Sequence, residues 1–267
     1  MKIALVGYGK MGRLIAERLL EKEAKVLAVV DPAIEAKTAA GNLLPDAAFY
    51  TTLEDAIKGT AGKTLKDADA VIEFTHPSCA VENLLFLARE KIPVVTGTTG
   101  WFDKLDEVET AVNDAGTSLV WASNFSLGVN LFYRIAACAA KLFDPFAEYD
   151  VAGVETHHNK KADAPSGTAK TLVEQVLAEM TRKKKAIYGT LERKPEADEI
   201  HYASLRLGSV PGTHSLSFDS AADTIEITHT ARNREGFAAG AVLAARWLTG
   251  KKRTGIFTVE DVLKEIC

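Results

Sequence analysis

The chain has little that would staple it, seat it in lipid or draw it to a polyanion. Its three cysteines, Cys79, Cys138 and Cys267, stand far apart in 267 residues and form no CxxC pair. That pattern argues against a disulfide framework and a cysteine zinc site, no bound metal is expected, and a reducing cytoplasm is the fitting compartment. No apolar run approaches the roughly 20 residues of a membrane span. The opening run 2–6 is too short for a signal peptide, because Gly7, Gly9 and Lys10 interrupt it at once, and it reads as a first strand. Positive charge is not in excess either: 32 Lys and Arg stand against 36 Asp and Glu, for a net charge of −4. Nucleic-acid binding through bulk electrostatics is therefore not expected. The basic clusters at 182–185 and 251–253 read as solvated helix ends or loops.

What remains is an ordinary globular composition, long enough for one large domain or two modest ones. In the first half, strand-like runs at 2–6, 26–30, 70–74, 93–96 and 118–122 alternate with helical patterns such as Met11, Leu14, Ile15, Arg18 and Leu19. Runs nearly continuous in Val, Ile, Leu and Ala suit a parallel sheet buried on both faces. The expectation is α/β: a Rossmann-type doubly wound parallel sheet. After Phe125 the pattern changes. A helix near 128–142, a strand at 149–155, a polar loop and a helix from Thr168 precede three strand-like runs at 200–207, 214–219 and 224–230. Alternation in the last, Ile225-Glu226-Ile227-Thr228-His229, marks a mixed or antiparallel sheet with one face solvated or paired. The boundaries expected are 1–125, completed by helices in 235–267, and an inserted α+β domain at 126–234.

Gly7-Tyr8-Gly9-Lys10-Met11-Gly12 matches GxGxxG, directly after a strand and opening a helix. The first glycine permits the turn, the second lets a pyrophosphate approach, and the third lets helix and strand pack closely. Asp31 ends the next strand, about 20 residues further on, where a carboxylate accepts hydrogen bonds from ribose hydroxyls. Pro32 follows it, with no Arg or Lys adjacent, which favours NADH over NADPH; Lys10, Arg13 and Lys37 are the cations that bear on a 2′-phosphate. Two further loops, 97–100 and 123–126, follow strands of the same sheet, at the carboxyl ends where such sheets bind ligands.

The stretch from Glu155 to Ala169 places two histidines, His157 and His158, and two lysines, Lys160 and Lys161, on a loop between a strand and a helix. Ser166 is a plausible N-cap, and Ala169, Leu172, Val173, Val176, Leu177 and Met180 form the helix's apolar face. Hydroxyls, free amides, a helix dipole and an ammonium together suit a carboxylate. An adjacent His-His pair is a poor metal site, since the side chains diverge and no third ligand is in register.

This stretch, with its His157-His158-x-x-Lys161-x-Asp163-Ala164-Pro165-Ser166-Gly167-Thr168 core, closely resembles the signature of the 4-hydroxy-tetrahydrodipicolinate (dihydrodipicolinate) reductase family. The likeness extends to the glycine turn, Phe74-Thr75-His76-Pro77, Gly97-Thr98-Thr99-Gly100, Ser123-Asn124-Phe125-Ser126, and Ile227-Thr228-His229 with Arg234. The chain differs from many members in its compact glycine turn, which is one residue shorter, and segment 51–67 has no clear counterpart. By the resemblance, His157 and Lys161 correspond to proton-donating residues, and His158, Gly167 and Thr168 to substrate contacts. Gly97, Thr98, Thr99, Ala122, Ser123, Asn124 and Phe125 correspond to cofactor contacts, beside Gly7, Tyr8, Gly9, Lys10, Met11, Gly12 and Asp31. Lys161, Ser166, the Gly167 and Thr168 amides and Arg234, a basic position near the hinge, would hold the substrate's two carboxylates. The resemblance implies NAD(P)H-dependent reduction of an unsaturated cyclic dicarboxylate in lysine biosynthesis, by a homotetramer assembled through the second domain. Which of His157 and Lys161 delivers the proton stays open. So do two rival readings, another two-domain amino-acid or homoserine dehydrogenase and a nonenzymatic dinucleotide sensor.

Overall fold

Seven parallel strands form the first sheet of the computed structural model, which describes residues 1–35 and 43–266. They are β1 (Lys2–Val6), β2 (Lys25–Val30), β3 (Ala48–Tyr50), β4 (Ala70–Glu73), β5 (Val94–Thr96), β6 (Ser118–Trp121) and β12 (Gly255–Thr258), in spatial order β12-β6-β5-β4-β1-β2-β3. The order reverses between β1 and β4, the switch point at which doubly wound sheets bind ligands. Strands β1, β2 and β4 are buried almost end to end because helices cover both faces. One core packs Ile3, Leu5, Val29 and Ile72 beneath α1 (Lys10–Glu21) and α7 (Glu235–Gly250). The other packs Ala4, Val6, Val71 and Leu119 against α3 (Pro77–Arg89) and α4 (Leu105–Ala115).

Two of these strands are not apparent from the sequence. β3 is three residues long, and β12 follows the basic cluster at 251–253 with only Gly-Ile-Phe-Thr to mark it. The returning C-terminal segment thus adds an edge strand to the sheet as well as the helices α7 and α8 (Val259–Ile266).

Contacts divide the chain into two compact units, Met1–Ser126 with Arg234–Cys267, and Leu127–Asn233. Ser126 and Arg234 fall in the first unit, one residue away from the boundary expected at each junction. The second unit carries a mixed sheet in the order β11-β10-β7-β9-β8. Its strands are β7 (Asp150–His157), β8 (Lys185–Tyr188), β9 (Glu199–Arg206), β10 (Thr213–Asp219) and β11 (Thr224–Thr230). β7 runs parallel to β9 and antiparallel to β10, so it sits between strands that follow each other in sequence. Phe132, Ala136 and Ala140 of α5 (Leu127–Phe143) and Leu172, Val173 and Val176 of α6 (Gly167–Glu179) join Ile200, Leu216 and Phe218 in its core. Cys79 and Cys138 are unpaired thiols, and Cys267 lies outside the described residues. No helix among the described residues is long and apolar enough to cross a membrane.

Candidate active site

In the first unit the glycine turn is shaped by contacts rather than by composition alone. Gly7 has φ +93°, and a Cβ there would lie 2.0 Å from the Phe74 carbonyl oxygen at the end of β4. A Cβ on Gly12 would lie 2.1 Å from the Gly7 carbonyl oxygen. On Gly9 it would meet no atom within 4 Å among the described residues. The first and third glycines therefore close the helix onto the strand, and the second leaves open space where a pyrophosphate would rest. A cavity of about 590 Å³ opens beside this turn, lined by Gly7, Gly9, Asp31, Thr52, Thr75 and Asn83 among others. These residues fit a dinucleotide.

Asp31 is buried, and its carboxylate accepts the Tyr8 N–H at 2.7 Å and the Ala33 N–H at 2.9 Å. It thus fixes the glycine turn while presenting negative charge to the cavity. The Arg13 guanidinium stands over the Tyr8 ring, 5.6 Å from its centroid, while Lys37 lies outside the described residues. Segment 51–67 contributes directly, because Thr51, Thr52, Leu53 and Glu54 line the cavity. Thr52 caps the short helix α2 (Leu53–Lys58), accepting the Asp55 N–H and donating to the Asp55 carboxylate. That Thr-x-x-Asp pairing was the available signal for placing this segment.

The loop after β5 is tied down from below. Glu73 is fully buried and accepts hydroxyl hydrogen bonds from Thr75, from Thr96 at 2.5 Å and from Thr98 at 2.9 Å. Burial raises its pKa against the pull of those donors. Thr98 in turn accepts the Thr75 N–H, and its carbonyl accepts the Trp101 indole N–H. Among the expected cofactor contacts, Thr98, Ala122 and Phe125 are buried framework, whereas Thr99 and Ser123 are exposed. Asn124 accepts the Ser126 N–H and so shapes the turn after β6.

In the second unit the signature loop leaves β7 at His157 and ends at Ser166. Its backbone is held by main-chain bonds from Asn159 N–H to the Gly208 carbonyl and from Lys161 N–H to the His158 carbonyl. Arg206, at the end of β9, donates to the Lys161 and Asp163 carbonyls. No sequence signal singled Arg206 out. The Ala164–Pro165 peptide is cis. Lys161 pairs with Asp163 at 2.8 Å, and His158 is half-buried.

Ser166 is the N-cap of α6, its hydroxyl accepting the Ala169 N–H. Its own donors, N–H and O–H, both go to the Glu155 carboxylate. Ser166 therefore does not offer those donors to a substrate in this arrangement; it fixes the turn. Gly167 and Thr168 open the helix, so their N–H groups have no helical carbonyl four residues back, the arrangement in which a helix N-terminus can offer donors to an anion.

His157 is buried, with Nδ1 3.5 Å from Glu155 Oε2 and its ring 5.1 Å from that of His214. Burial lowers its pKa; Glu155 opposes that effect, and Lys161 and Arg206 add to it. His214 is held lower still, at about 4, chiefly by burial, and its Nδ1 is 3.1 Å from the Tyr202 hydroxyl. Gly212, at φ +154°, passes so close that a Cβ would lie 3.1 Å from His157 Nε2. Glu155, His157 and His214 bring ligand atoms within 4.8 Å of one another. His158 is not part of that group; His214 joins His157 from β10 by folding, a convergence that no spacing in the sequence marks. The donor set still disfavours an ion: Glu155 already accepts from Ser166 and Ser204, and the Arg206 guanidinium lies 3.5 Å from it. Arg234 is exposed, precedes α7 as its N-cap residue and belongs to the first unit.

A doubly wound sheet with this glycine turn in one unit, and an imidazole, an ammonium and a helix N-terminus on one loop of the other, define a two-domain dinucleotide-dependent oxidoreductase. Residues 1–125 match the family described as dihydrodipicolinate reductase, N-terminus, and residues 128–263 match its C-terminus. The chain belongs to the dihydrodipicolinate reductase family. It is 37% identical over 266 residues to 4-hydroxy-tetrahydrodipicolinate reductase of Christiangramia forsetii, covering 100% of this chain and 99% of the relative. With the enzyme of the same name from Chromobacterium violaceum the identity is 38%, covering 98% and 97%. A dipicolinate-bound dihydrodipicolinate reductase from Paenisporosarcina sp. TG-14 superimposes with a TM-score of 0.76 at 21% identity, covering 97% of each chain. That last likeness speaks for the fold.

Proposed function

We propose that the chain reduces 4-hydroxy-tetrahydrodipicolinate to tetrahydrodipicolinate with loss of water, as a step of the diaminopimelate route to lysine. The observation that carries the reading is the signature loop, which puts His157, Lys161 and the two free amides of Gly167 and Thr168 on one anchored segment. A dinucleotide held at the glycine turn and Asp31 would supply the hydride, which C4 of the conjugated imine left by loss of water would accept. The electron pair displaced toward the adjacent ring carbon must then take up a proton. An imidazolium or ammonium within hydrogen-bond reach stabilises that charge and delivers the proton. His157 and Lys161 share this work. Lys161 and the Gly167 and Thr168 amides hold the substrate's carboxylates, His158 and Arg234 assist, and Ser166 keeps the turn in shape. Incubation with the substrate and NADH should consume the reduced cofactor. No consumption, or oxidation of homoserine or an amino acid with NAD instead, would overturn the proposal.

Asp31 supports NADH as the preferred cofactor. A 2′-phosphate would face a buried carboxylate that is fixed by two main-chain donors. The ratio of kcat/KM for NADH to that for NADPH should be one or greater. A tenfold preference for NADPH, about 1.4 kcal/mol in the transition state, would reverse this reading.

A homotetramer built through the second unit is the assembly we propose. Leu205 is 54%, Leu207 62% and Ile225 46% exposed, and β11 is an edge strand. An edge strand and apolar side chains left in water favour pairing with another copy. Light scattering at micromolar concentration should give four times the chain mass; a stable monomer would refute this.

A further inference from the structure

The acid at His157 has its own support. We infer that Glu155 is the positioning residue of His157, a buried carboxylate that fixes which imidazole nitrogen faces inward and carries the counter-charge for the imidazolium. This rests on the reading of His157 as a proton donor given above.

Glu155 and His157 are two apart on β7, so both side chains leave the same face of the sheet. Glu155 is fully buried, and no function assigned so far uses it. One oxygen, Oε1, accepts the Ser166 N–H at 3.0 Å and the Ser204 hydroxyl at 2.8 Å. The other, Oε2, accepts the Ser166 hydroxyl and points toward His157 Nδ1 at 3.5 Å and His214 Nδ1 at 4.0 Å. His157 Nδ1 is buried and has no hydrogen-bond partner among the described residues. A carboxylate is an acceptor only, so the nitrogen that faces it is the one that carries hydrogen. Nδ1–H toward Glu155 leaves Nε2, on the Gly212 side, as the nitrogen that gains and gives the proton.

Charge points the same way. The groups facing the imidazole are Glu155 from β7, Lys161 and Asp163 from the loop, Arg206 from β9 and His214 from β10. Lys161 and Arg206 both disfavour an imidazolium, and Asp163 is exposed and already paired with Lys161. Glu155 is thus the buried anion that offsets them. Its ionised form is secured in turn: burial pushes its pKa up, but the Ser166 and Ser204 donors outweigh that and hold it below the usual value. Through Ser166 the same carboxylate links the acid to the turn that binds the substrate.

The test is titration of the His157 ring by NMR in the cofactor-free full-length protein, with its signals assigned by their loss in His157→Gln. In the unmodified protein the neutral ring should be the Nδ1–H tautomer; an Nε2–H tautomer with bare Nδ1 would overturn the inference without any variant at Glu155. Glu155→Gln keeps size and an acceptor for Ser166 while removing the charge. It should lower the His157 pKa by about one unit, making a given protonated fraction require about tenfold more acid, and kcat should fall at correspondingly lower pH. Glu155→Asp keeps the charge but draws it back, and should produce a smaller shift in the same direction. A His157 titration unmoved in whichever variant folds would refute the role. Near-normal turnover of His157→Gln would remove the acid assignment instead, and leaves the titration readable on its own.

Discussion

Replacing His157 with Gln should lower kcat by about 10²–10⁴ with a smaller change in KM, because a positioned general acid acts in the transition state. Gln keeps a donor and much of the volume but has no proton to give at neutral pH. The site is rigid enough to make the comparison clean. His157 ends a strand paired on both sides, and its carbonyl accepts the Leu207 N–H at 2.8 Å. Burial keeps the ring's pKa below its ordinary value, so the protonated form is lost at lower pH than in a free imidazole. It follows that kcat/KM for the unmodified enzyme should fall as pH rises through that pKa, and that this limb should be missing in the variant. NADH affinity, measured by calorimetry, should be unchanged, since the glycine turn and Asp31 are built from other elements. Near-normal turnover with an intact fold would leave Lys161 as the sole acid.

The fold was legible where pattern and chemistry coincide. β1, the glycine turn and α1 follow from an apolar run, three glycines and a helical period, and Gly7 and Gly12 prove to be crowded by the Phe74 and Gly7 carbonyls. Strands β3, β8 and β12 escaped because three or four residues carry too little periodicity, and neighbours in the sheet decide their state. The signature loop was legible as a motif, but its support was not. Arg206, Ser204 and His214 converge on it from β9 and β10, far along the chain, and contact across a mixed sheet leaves no spacing in the sequence. Ser166 shows the same limit in reverse. Its residue type correctly marks an N-cap, yet only the neighbouring carboxylate reveals that its donors are taken.

Lys161→Ala should be the more damaging change overall, lowering kcat and raising KM together. The ammonium is 23% exposed and held 2.8 Å from Asp163, poised so that an incoming carboxylate need only compete with a solvated partner. Losing one hydrogen bond to a charged group costs about 1.5–3 kcal/mol, which is roughly a 10–150-fold rise in KM if expressed in the ground state. Support of proton transfer adds its own loss in kcat, so kcat/KM should fall by about 10³ or more. The loop itself should survive, because it is anchored through the main chain of residue 161, whose N–H and carbonyl are bonded to His158 and Arg206. One effect runs the other way. Lys161 is among the cations that depress the His157 pKa, so its removal should move the alkaline fall of the residual activity to higher pH. Lys161→Arg keeps the charge but offers a planar fork in place of a compact ammonium, and should recover KM better than kcat. A kcat/KM for Lys161→Ala within tenfold of the unmodified enzyme, with the alkaline limb unmoved, would place the ammonium outside both the binding and the chemistry.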